Sequence, residues 1–181
     1  MILVAMLVVR PYADADMDFV RRLFSMYTLE EKQRVPDLHL PAEREEEYLR
    51  WLVTRTLEGG IFLVAEVDGV RAGYSAGVLK KENDSWDETT RKASLVMELH
   101  VDPAFRRQGV GRRLVKELED HFRSQDIEWI TLGVFSKNVE ARAFYEQIGF
   151  RDVYTFMGKR LENGPRLPGE PPPYGRPRAR P

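Results

Sequence analysis

The 181-residue chain contains no cysteine. That excludes disulfides, thiolate metal sites and a cysteine nucleophile, and with the last any acyl-cysteine intermediate. Net charge is also missing: 28 Lys and Arg against 29 Asp and Glu leave −1. A chain this balanced has no overall basic excess to hold nucleic acid, although a local patch stays open. Long apolar runs are absent too. The opening "MILVAMLVV" stops at Arg10, too short to span a membrane, and it lacks a basic leader region and a small-residue cleavage pattern. It reads as a first strand, which survives if Met6 is the true start. No internal repeat is present, no metal site is expected, and the composition is compatible with the cytoplasm, the expected location. What remains is 43% hydrophobic and 31% charged, the make-up of a globular domain long enough for one core.

Period and punctuation divide that domain. Residues 7–12 read as a strand and 14–27 as a helix with an aspartate at its N-cap, its apolar face formed by Phe19, Val20, Leu23, Phe24 and Tyr27. A loop over 28–41 leads to a second helix over 42–58, closed by Gly59 and Gly60. Strands over 61–67 and 70–79 flank Asp68-Gly69, a two-residue hairpin signal. After a polar stretch at 80–92 come a strand (93–101), a strongly amphipathic helix to about 124, a strand (128–135), a helix (138–149) and a final strand region (150–161). From Asn163 the composition changes: seven of the eleven prolines lie in the last nineteen residues, with four arginines against one acid. The expected organisation is a domain over 1–162 and an extended Pro/Arg-rich tail over 163–181.

"RRQGVG", residues 106–111, opens the amphipathic helix. The first amides of a helix lack intrahelical partners and carry the positive end of its dipole. Glycines admit an anion close to that backbone, and Arg106 and Arg107 add donors. Spacing alone leaves a phosphate cradle and a structural turn both open. A P-loop would need Gly-Lys-Ser/Thr, but Arg112 and Arg113 follow Gly111; a dinucleotide fingerprint would need a third glycine where Leu114 stands.

"ELHVDPAFRRQGVGRRLV" resembles the acetyl-CoA signature of the GNAT family of N-acetyltransferases, through Val101, Pro103, Arg106, Gly109 and Gly111. Further on, "SKNVEARAFYEQIGF" resembles the family's other signature, through Asn138, Ala141, Phe144, Tyr145, Gly149 and Phe150. The element order over 7–161 is similar to the family's; the tail lies outside the resemblance. The resemblance implies an α/β (α+β) fold, a mixed, mostly antiparallel sheet flanked by helices, with strands 4 and 5 splayed for CoA. It implies that backbone groups of Leu99, His100 and Val101 pair with the pantetheine arm. Amides from Arg107 through Gln108, Gly109 and Val110 to Gly111 would hold the pyrophosphate, with Arg106 and Arg112 beside them. Asn138 takes the position that commonly bonds pantetheine, Ala141 and Phe144 share its helix, and Tyr145 takes the position of the general acid. Acetyl-CoA is the expected cosubstrate and an amine the expected acceptor. A homodimer is compatible with the resemblance.

Glu98 and His100 alternate onto one face of the fourth strand, with Met97, Leu99 and Val101 expected opposite. Charge on a central strand is costly unless it faces solvent or a cleft, so Glu98 is the candidate base. An ordinary hydrogen-bonded pair is the other reading. "EREEE" at 43–47 either draws a cationic acceptor or simply suits a helix N-terminus. Trp86 is a candidate lining residue for the acceptor cleft. Three functional classes stand: an N-acetyltransferase working by direct attack in a ternary complex, a non-catalytic acyl-CoA-binding regulatory domain, and a peptide-docking module acting through the tail.

Overall fold

The computed structural model describes residues 5–35, 42–80, 92–153, 155, 157 and 158. Five strands form one sheet in the order β1 to β5: β1 (Leu7–Pro11), β2 (Ile61–Val67), β3 (Val70–Leu79), β4 (Ala93–Val101) and β5 (Trp129–Leu132). The first four pair antiparallel, and β4 and β5 pair parallel. The β2–β3 hairpin turns at Asp68 and Gly69, whose φ of 50° and 78° are the left-handed pair that an Asp-Gly turn supplies. Helices α1 (Met17–Arg34) and α2 (Glu45–Leu57) cover one face, where Val20, Leu23, Leu49 and Leu52 pack fully buried against Val64, Tyr74 and Ala76. Helix α3 (Val110–Arg123) covers the other with Val110, Leu114, Val115, Leu118 and Phe122, the five residues its period predicts. Helix α4 (Val139–Gln147) follows β5 and has no buried residue.

This is the mixed α+β architecture expected, with three corrections. The first helix starts with a 3-10 turn at Asp14–Asp16 and runs to Arg34, so part of the expected 28–41 loop is helical and residues 36–41 lie outside the described residues. Asp16 makes no side-chain cap bond to α1, because its carboxylate is taken elsewhere. Its Oδ2 accepts from Arg10 Nη1 at 2.7 Å and from the Ala13 amide at 2.9 Å; its Oδ1 accepts from Arg71 Nε at 2.6 Å and Arg10 Nη2 at 2.9 Å. Arg10 also reaches Glu66 at 2.6 Å, so β1, β2, β3 and the head of α1 meet in one charged knot. Third, the described residues of the expected final strand, 150–153, 155, 157 and 158, form no strand. Its remaining residues, the 81–91 segment with Trp86, and the Pro/Arg-rich tail lie outside the described residues.

Candidate active site

β5 pairs with only the first half of β4, from Ala93↔Trp129 to Val96↔Leu132. Beyond Val96, the β5-side edge of β4 from Met97 to Val101 pairs with no described strand. This is the parting of strands 4 and 5 that the resemblance implies, and the backbone of Leu99, His100 and Val101 lies along it.

At the same point β4 changes phase. Its register against β3 steps from Gly77↔Val96 to Ala76↔Glu98, leaving Met97 as the extra residue of a bulge. Val96, before the bulge, packs in the α3 layer, and so do Leu99 and Val101 after it. Unbroken alternation from Val96 would have sent Glu98 and His100 into that apolar layer. The bulge turns them to the α1–α2 face instead, a common use of bulges beside functional sites. Met97 itself packs on the α1–α2 cluster, with Glu98 and His100 rather than opposite them.

On that face Glu98 is held from two sides. Tyr48 on α2 donates its hydroxyl to Oε1, and His100 Nε2 lies 2.5 Å from Oε2. An ionised carboxylate only accepts, so Nε2 donates to it. The His100 Nδ1 is buried without a hydrogen-bond partner among the described residues. Phe24 and Tyr27 of α1 and Tyr74 of β3 surround the imidazole, the Tyr27 ring at 4.3 Å. Together these groups, with Thr28 and Glu31 of α1, bound a cavity of about 270 Å3. Burial and the Glu98 charge push the Tyr48 hydroxyl far above the usual phenol range.

The turn before α3 is built for close approach. Arg107 takes φ 63° and Gly109, the N-cap, φ 85°, so the amides leading into the helix turn through left-handed positions, and a Cβ at Gly109 would meet nothing within 4 Å. Successive amides of mixed hand form an anion-binding concavity. Gln108 buttresses the turn by donating to the Ala104 carbonyl at 3.0 Å. Gly109, Arg112 and Lys116 line a cavity of about 380 Å3 along α3. Arg106, expected beside the anion, turns to α1: its guanidinium lies 5.4 Å from the Tyr27 ring centre and donates to the Tyr27 hydroxyl at 3.0 Å. That hydroxyl in turn donates to the Val101 carbonyl at 2.7 Å.

Helix α4 brings the second signature to the same gap. Asn138 is its N-cap, accepting from the Ala141 amide at 3.2 Å. The Phe144 ring lies beside Gly111, where an added Cβ would be 3.3 Å from Cζ. Tyr145 sits between Phe144 and Phe150, with ring centres 5.3 and 5.7 Å away. Its hydroxyl is pushed up to about 12, by burial first and then by the charges of Glu98 and Glu31. Tyr145 therefore feels the carboxylate across the parted strands and keeps its proton at neutral pH.

The structure thus brings Glu98, Tyr145, the 107–111 turn and the open β4 edge to one place. It adds Tyr48, Tyr27 and Glu31, which the motifs do not contain. Glu31 had a readable signal: it extends the apolar stripe of Val20, Phe24 and Tyr27 by one more turn, and a carboxylate there is out of place in a core. Among the described residues no group of three or more His, Asp or Glu is placed to hold a metal. No described helix is long and apolar enough to cross a membrane.

Residues 20–150 match the Acetyltransferase (GNAT) family. The uncharacterized N-acetyltransferase MJ1207 of Methanocaldococcus jannaschii is 29% identical over 113 residues, 61% of this chain and 47% of that protein. The ribosomal protein bS18 alanine N-acetyltransferase of Escherichia coli is 35% identical over 58 residues, 32% of this chain and 39% of that one. The chain spans about half the length of such curated relatives, or less. Among solved structures, a mutant of the BH1408 protein from Bacillus halodurans superposes with a TM-score of 0.75 at 24% identity, over 85% of this chain and 99% of that one. The AAC(6')-Iy complex with a bisubstrate analog gives 0.62 at 15%, over 86% and 98%. Both likenesses speak to the fold. With the family match covering most of the chain, and both signatures set at the parting of β4 and β5, the chain belongs to the GNAT acetyltransferase family.

Proposed function

We propose that the chain is an acetyl-CoA-dependent N-acetyltransferase that modifies a primary amine of a small molecule or peptide by direct attack in a ternary complex. The observation that carries this reading is the convergence at the β4–β5 gap of an open backbone edge, an anion cradle, a carboxylate and a protonated tyrosine. Acetyl-CoA supplies the acyl thioester. The β4 edge from Leu99 to Val101 pairs with its pantetheine arm. The amides from Arg107 to Gly111 receive the pyrophosphate, with Arg112 and Lys116 alongside, and Asn138 closes the α4 side. Transfer forms a C–N bond and breaks the C–S bond, giving an amide and a thiol; an ammonium acceptor loses one proton before attack and a second as the amide forms, and the sulfur gains one. Glu98, alone or through water, takes the proton lost before attack, Tyr145 gives its proton to the sulfur, and the second proton from nitrogen restores the tyrosine. The names of relatives support an amine acceptor: an alanine amino group of a ribosomal protein, and glucosamine-6-phosphate for a fold neighbour.

The test is thiol release from acetyl-CoA across a panel of amines. Release with at least one amine is expected; tight CoA binding with none would turn the reading into that of a non-catalytic acyl-CoA-binding domain. Gly109→Glu should weaken acetyl-CoA binding by more than tenfold, since it sets a negative side chain against the anion at a left-handed φ. Calorimetry on protein with an intact circular dichroism spectrum measures it, and unchanged affinity would move the pyrophosphate elsewhere. An alkylamine is largely protonated at neutral pH. With Glu98→Gln the rate should therefore keep climbing about tenfold per pH unit until the amine itself titrates, whereas the parent enzyme levels off earlier. Identical profiles would remove Glu98 as base.

A further inference from the structure

The cavity on the α1–α2 face of β4 has no use in the steps above beyond Glu98, yet its walls are specific. Among the described residues no Lys or Arg lines it, while two carboxylates do, Glu98 on β4 and Glu31 on α1. They are not equivalent. Glu98 is satisfied by Tyr48 and His100. The side chain of Glu31 forms no hydrogen bond or ion pair with any described residue, and Arg34, one turn on, is turned to Glu30 at 3.6 Å. A half-buried carboxylate without a partner is costly, and burial followed by the Glu98 charge raises its affinity for a proton, against the opposing pull of His100 and Arg34. His100 in the same wall is nine-tenths buried, and its Nδ1 has no hydrogen-bond partner among the described residues. Phe24, Tyr27 and Tyr48 add aromatic surface, which favours a cation over an anion. An unpaired carboxylate, aromatic walls and no Lys or Arg among the described lining residues describe a vessel for positive charge beyond the one amine that reacts.

We infer that this pocket selects a compact diamine, a primary amine carrying a second cationic group a few methylenes away, and that Glu31 determines the specificity by pairing with that second charge. The inference rests on the acetyltransferase reading above. The volume of about 270 Å3 is below the roughly 300–1,000 Å3 of pockets that hold drug-sized ligands, which argues for a short aliphatic acceptor. The reacting nitrogen lies at Glu98, beside the β4–β5 gap, and the second ammonium at Glu31, where it replaces solvent that the carboxylate has partly lost.

Three acceptors of similar length separate the terms: 1,4-diaminobutane, 1-butylamine and 4-aminobutyrate, with steady-state thiol release as the readout. The parent enzyme should favour diaminobutane over butylamine by at least tenfold in kcat/KM, and aminobutyrate should be the poorest. Glu31→Gln should bring the diaminobutane-to-butylamine ratio down close to one, chiefly through the KM of the diamine. The parent ratio alone decides the matter if the variant does not fold. Equal use of diaminobutane and butylamine by the parent enzyme, or an unchanged ratio in folded Glu31→Gln, would overturn the diamine assignment while leaving the acetyltransferase reading intact. Bound acetyl-CoA with no thiol release from any amine would overturn both.

Discussion

Tyr145→Phe is expected to lower turnover by roughly ten- to a thousandfold with little change in acetyl-CoA affinity, the pattern of a contact made mainly in the transition state. The substitution keeps the ring that packs between Phe144 and Phe150 and removes only the hydroxyl. Without that proton the sulfur leaves as a bare thiolate in a site with a carboxylate nearby. The raised Tyr145 also predicts where the alkaline limb falls. A group that stays protonated up to about pH 12 keeps acting as an acid well above neutrality, so any loss of rate between pH 7 and 10 must come from another group. Single-turnover mixing isolates the chemical step and calorimetry the affinity. Full turnover in the variant, with chemistry rate-limiting, would show that the thiolate needs no acid from this side chain.

Asp16→Ala should destabilise the fold by about 3 kcal/mol, although Asp16 bonds to none of the candidate catalytic or cofactor-binding residues. Its side chain is 1% exposed and accepts from Arg10, Arg71 and the Ala13 amide. Removing it leaves two guanidinium groups facing each other with Glu66 as the remaining counterion. For a domain of this size that loss lowers Tm by roughly 6–12 °C. The Arg10 partnership holds the Asp16 carboxyl far below the usual carboxylate range, with Ala13 and Arg71 adding to it. Its folded-state pKa is depressed, so its contribution is complete above the ordinary carboxylate value near 4 and is lost as pH falls below it. The parent should therefore lose stability towards Asp16→Ala on acidification, and the two melting curves should converge. A gap that stays constant from pH 7 to pH 3 would mean that packing, not charge, makes the difference.

The parts of the molecule readable in sequence are those whose information is local. Helix α3 was legible in full because five apolar residues recur at helical spacing, and β2 and β3 because Asp-Gly marks their turn. The 107–111 cradle, Asn138 and Tyr145 were legible as motifs, since one turn and one helix carry them. What could not be read depends on partners far along the chain. Tyr48 meets Glu98 across 50 residues, and Tyr27 meets Val101 across 74. The extra residue at Met97 leaves no local mark, because nothing in "VMELHV" says which residue β3 will skip. Nothing near Asp16 in the sequence says that Arg71, 55 residues on, will claim it. The expected strand after Phe150 has suitable residues, but a strand exists only with a neighbour, and the described part has none.

The bulge in β4 makes the active face a matter of parity. A strand whose side chains alternate stores one bit for each position, and Met97 flips that bit for everything downstream. One strand can thus serve an oily layer under α3 and a polar cleft under α1 without any change of direction, and the same carboxylate would be a core defect or a reactive group depending on whether the count before it is odd or even. Single-residue insertions and deletions between Val96 and Glu98 would then act on chemistry more abruptly than any substitution, because they exchange the two faces of the site rather than altering one group on it.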